Sequence, residues 1–105
     1  MIIVTSEDIV DKKIVKTLGI VSGSIVLSKN MFSDMGAGFK TMVGGELKSY
    51  TDMQQKARKE AAFRMVKQAE GLGANAVVAT RYSTSAIMQG ASEIIAFGTA
   101  VVIEE

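Results

Sequence analysis

The 105-residue sequence contains no cysteine, no histidine, no proline and no tryptophan. Without thiols or imidazoles it offers no disulfide, no zinc site of the usual kind, no thiol nucleophile and no imidazole acid–base chemistry. Aromatic residues make up only 6% of the chain, so a core has to be assembled from Val, Ile, Met and Ala, which pack closely. No uninterrupted apolar run approaches the roughly 18 residues that a membrane span needs. The N-terminal stretch MIIVTSEDIVDKK places apolar residues before charged ones, the reverse of a signal peptide. A cytoplasmic protein with no membrane partner is the expectation. Twelve basic and eleven acidic residues leave a net charge of +1 and are spread without a cluster, so nucleic acid is not an expected partner.

What is present fits one domain over residues 1–105, since a chain near this length buries on the order of 65% of its unfolded surface in a single core. The most legible stretch is residues 51–78, TDMQQKARKEAAFRMVKQAEGLGANAVV. Ala57, Ala61, Met65, Ala69 and Leu72 recur at helical spacing, with Lys56, Lys59, Glu60, Lys67 and Glu70 mostly opposite, which predicts an amphipathic helix leading into a strand. Thr51 or Asp52 reads as its N-cap, and Gly71 or Gly73 as the residue that ends it. Phe63 lies opposite the apolar stripe with Val66 near it, and the pair is a candidate oligomer contact.

Residues 1–4 read as a short edge strand. Residues 13–27, KIVKTLGIVSGSIVL, read as a longer one; an interior strand glycine marks a bulge, a sharp bend or close approach of another backbone, and this strand is expected to bend or split near Ser22-Gly23-Ser24. Asn30 caps a predicted helix over 31–43 that Gly44-Gly45 ends, and residues 46–50 then form a polar connection. Residues 76–85 and 93–103 read as a hairpin with a moderately long loop around Gly90. The order β-α-α-β-β predicts an α+β fold, a small antiparallel sheet with two helices on one face.

Several separated strings carry a family resemblance: GIVSGSIV (19–26), NMFSD (30–34), Gly44-Gly45, Tyr50, Ala57-Arg58 and LGANAVV (72–78). In this order and spacing, over nearly the whole chain, they resemble the YbjQ-like family of small uncharacterised bacterial and archaeal proteins. The resemblance implies a dodecin-like arrangement, a ring-shaped homopentamer and a heavy-metal-binding label without an established biochemical function. Soft metals prefer thiolate and imidazole, which leaves thioethers and carboxylates to serve here.

Met31 and Met35, four apart, with Asp34 between them, are therefore the candidate metal ligands, although methionines at helical spacing ordinarily fill cores. Asp34, Glu46, Tyr50 and Arg58 are the candidate contacts for a small ligand. Arg58 sits at the edge of the apolar stripe, where a guanidinium pairs with a carboxylate such as Asp34 or Glu46 or else holds an anion. No phosphate loop is present, and Ser22, Ser24, Ser83 and Ser85 have no base to activate them. No catalytic residue is assigned and no cofactor is required. The reading is a ring-forming homo-oligomer that binds a small ligand or metal ion at subunit boundaries, with a ligand-free structural module as the alternative and an enzyme as the last choice.

Overall fold

The computed structural model describes residues 1–28 and 43–104, and of residues 43–50 the backbone alone. Its elements are β1 (Ile2–Ile3), β2 (Lys13–Ser28), α1 (Val43–Gly71), β3 (Ala76–Met88) and β4 (Ala91–Glu104). The strands form one sheet in the order β1-β3-β4-β2. β4 is antiparallel to both β2 and β3, so β2 and β3 run the same way with α1 as the crossover between them. This is a split βαβ unit with β4 inserted at its centre.

β1 pairs parallel with β3, matching Ile2 to Ala76 and Ile3 to Val77, and the sheet is mixed where an antiparallel one was predicted. The reason lies in residues 4–12. They carry the chain from one edge of the sheet to the other beneath the face away from α1, so β1 and β2 end up codirectional. Val4, Ile9 and Ile14 pack there against buried Ala76, Val78, Val101 and Ile103.

The helix begins at Val43, eight residues before Thr51, so Thr51 and Asp52 are interior positions and not the N-cap. Gly44 and Gly45 stand in its first turn, and 46–50 is helix where a connection was predicted. Glycines in a first turn interrupt no established ladder, because the first four N–H groups have no intrahelical acceptor. The helix predicted over 31–43 lies outside the described residues except for Val43.

At the other end the exit follows the Schellman pattern. Gly73 adopts a left-handed φ of +88°. Ala74 N donates to Ala69 O at 3.0 Å and Gly73 N to Glu70 O at 3.0 Å, which satisfies two carbonyls of the last turn. Leu72, predicted to belong to the apolar stripe, falls in this exit turn and is 48% exposed. Asn75 then anchors β3. Its side-chain amide donates to Ile103 O at 2.9 Å and accepts from Ile103 N at 2.7 Å.

Met53, Ala57, Ala61, Met65 and Ala69 form the buried line of α1, every fourth residue. Such a row is inclined to the helix axis, so the helix lies obliquely on the sheet along one side-chain ridge. It meets Val21, Leu27, Val77, Ile94, Ala96 and Ala100 in one cluster. β2 runs unbroken through Ser22-Gly23-Ser24, where a bend or split was expected. Its irregularities fall earlier, between Ile14 and Lys16 and between Thr17 and Gly19, where Gly19 has a φ of +118°.

Gly23 is the position where a second backbone arrives. A Cβ placed there would strike Ala61 O and Met65 N and stand 2.7 Å from Arg64 C. Gly71, by contrast, has open space around its Cα. Gly23→Ala should destabilise the fold by on the order of 3 kcal/mol, since an overpacked contact against rigid backbone cannot relax. Gly71→Ala should instead gain about 0.5–1 kcal/mol. Thermal unfolding of both variants checks the pair. Equal melting temperatures would refute the close contact.

Candidate functional site

Past the middle of the sheet, α1 stays over β2 and β4, and the distal half of β3 stands out as an arm. Every residue from Arg81 to Gly90 is exposed, although 81–88 belong to β3. The hairpin predicted to have a moderately long loop is closed by Gln89-Gly90 alone, with Met88 paired to Ala91 and Gly90 at a φ of +83°. At about 3.3 Å per residue, the 16 residues of β2 span roughly 50 Å, which matches the 52 Å long dimension of the molecule. The radius of gyration of 16.5 Å exceeds the roughly 13 Å of a compact chain near this length.

The arm starts at a bulge. Val78 pairs with Thr99 and Arg81 with Phe97, so Ala79 and Thr80 together oppose Gly98. Ala79 takes a left-handed φ of 54°, unusual for a residue with a Cβ. The N-terminal segment holds the bulge in place. Ala79 N donates to Ser6 O at 2.8 Å and Thr80 N to Val4 O at 3.0 Å. One Arg81 nitrogen, Nη1, donates to Thr5 O at 2.8 Å and to Thr80 O at 2.9 Å. Past this point β3 has no strand beside it on the β1 side among the described residues.

Alternation along the ladder shows which groups face outward. On β2, Ser22 N donates to Gln68 Oε1 at 2.7 Å and Ser24 O accepts from Arg64 Nη1 at 2.7 Å, so Ser22 and Ser24 address the outer side of β2. Their β4 partners Phe97 and Ile95 therefore bond towards β3, to Arg81 and Ser83. It follows that Tyr82, Thr84 and Ala86 direct their N–H and C=O groups to the open edge. The two edges of the sheet differ among the described residues: α1 side chains occupy the centre of β2, and nothing occupies the distal half of β3.

The arm also has an open face. On the side away from α1 the register aligns Ile20 with Thr99, then Ser22, Phe97 and Arg81, then Ser24, Ile95 and Ser83, then Val26, Glu93 and Ser85. Ile20 is 83% exposed, and Phe97 and Val26 also reach solvent. A half-apolar sheet face is ordinarily covered by another layer.

Arg58 is half-buried on α1 and forms no hydrogen bond or ion pair with a described side chain. Asp34, Met31 and Met35 lie outside the described residues. Glu46 and Tyr50 belong to α1, with their side chains outside the described set, so the four proposed ligand contacts are not brought together by any described geometry. Phe63 is 56% exposed on α1, its ring 5.5 Å from Lys67 Nζ, and Val66 is half-buried beside it. Arg64, Gln68, Tyr82 and Thr84 were not singled out by sequence. The available signal for the first two was the Glu60, Arg64, Gln68 row at i, i+4 spacing beside the alanine stripe.

Among the described residues no three acidic side chains gather as a metal site, and no helix is long and apolar enough to cross a membrane. Soft-metal donors of the usual kind are absent from the chain altogether. The described residues therefore do not fit a heavy-metal site.

Sheet, helix and arm together define an α+β protein with a mixed four-stranded sheet and one long helix among the described residues. A family model named YbjQ, with the description "Putative heavy-metal-binding", matches residues 1–104. The chain belongs to this YbjQ-like family. A UPF0145 protein of Thermotoga maritima is 51% identical over 105 residues, covering 100% of this chain and 99% of that one. Another, from Photobacterium profundum, is 52% identical over 101 residues, covering 96% and 98%. Among solved structures, a protein of unknown function from the DUF74 family of Pediococcus pentosaceus shares the fold. It has a TM-score of 0.58 at 17% identity, with 99% of this chain and 98% of that chain covered. None of these names carries an enzymatic activity.

Thr80 is 3% exposed, and its hydroxyl has no hydrogen-bond partner among the described residues. It is accommodated because Gly98 has no side chain. A Cβ there would stand 3.1 Å from Thr80 Oγ1 and 2.8 Å from Val77 Cγ1. Thr80→Val keeps the shape and removes the unsatisfied group, so it should stabilise the fold by about 1 kcal/mol. A lowered melting temperature would show that the hydroxyl is satisfied in solution.

Proposed function

We propose that this chain is the subunit of a ring-shaped cytoplasmic homo-oligomer that joins its copies along strand edges and holds a small ligand or ion where subunits meet. The observation that carries this reading is the outer edge of β3 from Tyr82 to Ala86. It lies on an arm exposed along residues 81–90 and has no partner strand among the described residues. An unpaired edge of this length is a template for another strand, and soluble proteins ordinarily cover it. A strand of a second copy is the simplest cover, because the same surface is then present at equal concentration. The homopentamer that the family resemblance implies requires a heterologous contact, one surface of each copy on a different surface of the next.

Phe63 and Val66 supply a second contact on the outer side of α1 in this reading. Lys67 near the Phe63 ring adds a cation–π contact of about 0.5–1 kcal/mol at an exposed site. It also presents an aromatic with a positive rim to a neighbour. The boundary ligand is a small anion or a hard cation contacted by Arg58, Asp34, Glu46 and Tyr50. A metal ion would have to accept oxygen or thioether donors from Asp34, Met31 and Met35. The ligand-free structural module differs only in leaving this boundary empty, and a chain without histidine or cysteine is read here as non-enzymatic.

Native mass spectrometry of freshly purified protein gives subunit number and any retained mass together. The wild type should appear as a closed assembly. Thr84→Pro removes an outward N–H without removing a bond to β4, a position where an edge strand tolerates proline. It should release monomers that keep their far-ultraviolet dichroism. An unchanged subunit number in Thr84→Pro would sink the β3 edge as the contact, and an unchanged assembly in Phe63→Ala would remove Phe63 from the interface.

A further inference from the structure

Both long edges of this sheet start out equivalent in backbone chemistry, yet among the described residues only one is open at its centre. On β2 the outward N–H of Ser22 is taken by the side-chain oxygen of Gln68, and the outward carbonyl of Ser24 by the guanidinium of Arg64. Gln68 and Arg64 thereby present to β2 an acceptor and a donor, the two groups that a neighbouring strand would supply. Glu60 fixes the guanidinium from one turn below, its Oε2 3.0 Å from Arg64 Nε. Nothing in helix stability calls for this arrangement, since the pair is half exposed and an i, i+4 surface ion pair contributes little.

We infer that Glu60, Arg64 and Gln68 act as a built-in strand surrogate that closes β2 to pairing, so that copies of this chain join through β3 and the assembly stays finite. The inference rests on the reading that copies meet along strand edges. If β2 and β3 were both open, the β3 edge of one copy would pair with the β2 edge of the next, and the repeat of that contact has no reason to close. Blocking β2 at its midpoint removes that continuation and obliges the β3 edge to find a different surface on its neighbour. The device depends on Gly23: only because the helix backbone touches the strand there do Arg64 and Gln68, on the row beside Ala61 and Met65, reach the residues on either side of it.

The test is the double substitution Arg64→Ala with Gln68→Ala, read by light scattering coupled to size exclusion and by native mass spectrometry at matched concentration. The expected result is a shift from one defined mass to a spread of larger species, with average mass at least about twice that of the wild type. A subunit number identical to wild type overturns the inference. Loss of packing on α1 can also cause aggregation, so the triple variant that adds Ser22→Pro distinguishes the two. Proline at Ser22 removes the outward N–H and recloses the edge by other means. Return to the wild-type mass supports the surrogate, and persistence of the larger species overturns it. Failure of Thr84→Pro to release monomers would refute the β3 reading separately, leaving the comparison of double and triple variants to decide β2.

Discussion

The contact of α1 with the backbone of β2 at Gly23 is the constraint on which the rest of the structure depends. A helix held that close to a sheet has room on its inner side only for small residues, and Ala57, Ala61 and Ala69 provide them. Met65 and Met53 complete the buried line, a task that suits an unbranched, adaptable side chain. The aromatic-poor composition follows from the same cause. Large rings between helix and strand would lift the helix off Gly23, and none of the buried core residues among those described is aromatic. The polar row beside the alanines is placed by this contact too, since Arg64 and Gln68 touch β2 only while the separation is that small.

A second constraint, the bulge at Ala79–Thr80, divides β3 into two regimes. On one side of it, α1 covers one face, residues 4–12 cover the other, and β1 covers the edge of β3. On the other side, β3 has neither edge nor face covered among the described residues. The left-handed φ of Ala79 and the buried hydroxyl of Thr80 are small local costs, concentrated where the covered half gives way to the arm. The N-terminal segment stabilises this junction through Val4, Thr5 and Ser6, so the order of the bulge and the order of the chain's start are linked. Strain placed beside an open edge, and held by a segment that stops just short of covering it, fits an element kept available for a partner.

Much of this was legible in the sequence where a single local rule acts. The helical stripe at Ala57, Ala61, Met65 and Ala69, the glycine exit at Gly73 and the strands beginning at Lys13 and Ala76 all read correctly from periodicity and turn chemistry. Gly23 was expected to bend or split β2, and the strand instead runs unbroken there because the backbone of α1 comes close to it. A strand glycine matched to an alanine stripe was the clue to that close approach. What failed depended on more than one element. Gly44-Gly45 looks like a stop signal in isolation, but the first turn of a helix already lacks bonds, so glycines there do not end it. The parallel pairing of β1 was invisible because it is decided by where residues 4–12 cross beneath the sheet. The edge-facing roles of Ser22, Ser24, Arg64 and Gln68 emerge only once register and helix position are both known.

The string LGANAVV, the most specific part of the family resemblance, shows why kinship here conveys architecture and not chemistry. Leu72 and Gly73 make the left-handed exit, Ala74 packs on the core as the helix ends, and Asn75 bonds twice to Ile103. Ala76, Val77 and Val78 then distribute themselves between the two faces of the sheet. Each residue is accounted for by its place in the turn or in the core, and none is left over as a ligand or an acid. A motif whose members are all spent on holding a helix to a sheet persists for as long as the fold is useful, whatever the surface does. The 51% identity to the Thermotoga maritima relative therefore argues for the same scaffold. Among the described residues the scaffold leaves polar backbone unpaired and a face uncovered in the arm beyond Thr80 and along the edge that α1 does not close, and that is where a function separate from holding the fold together has room to act.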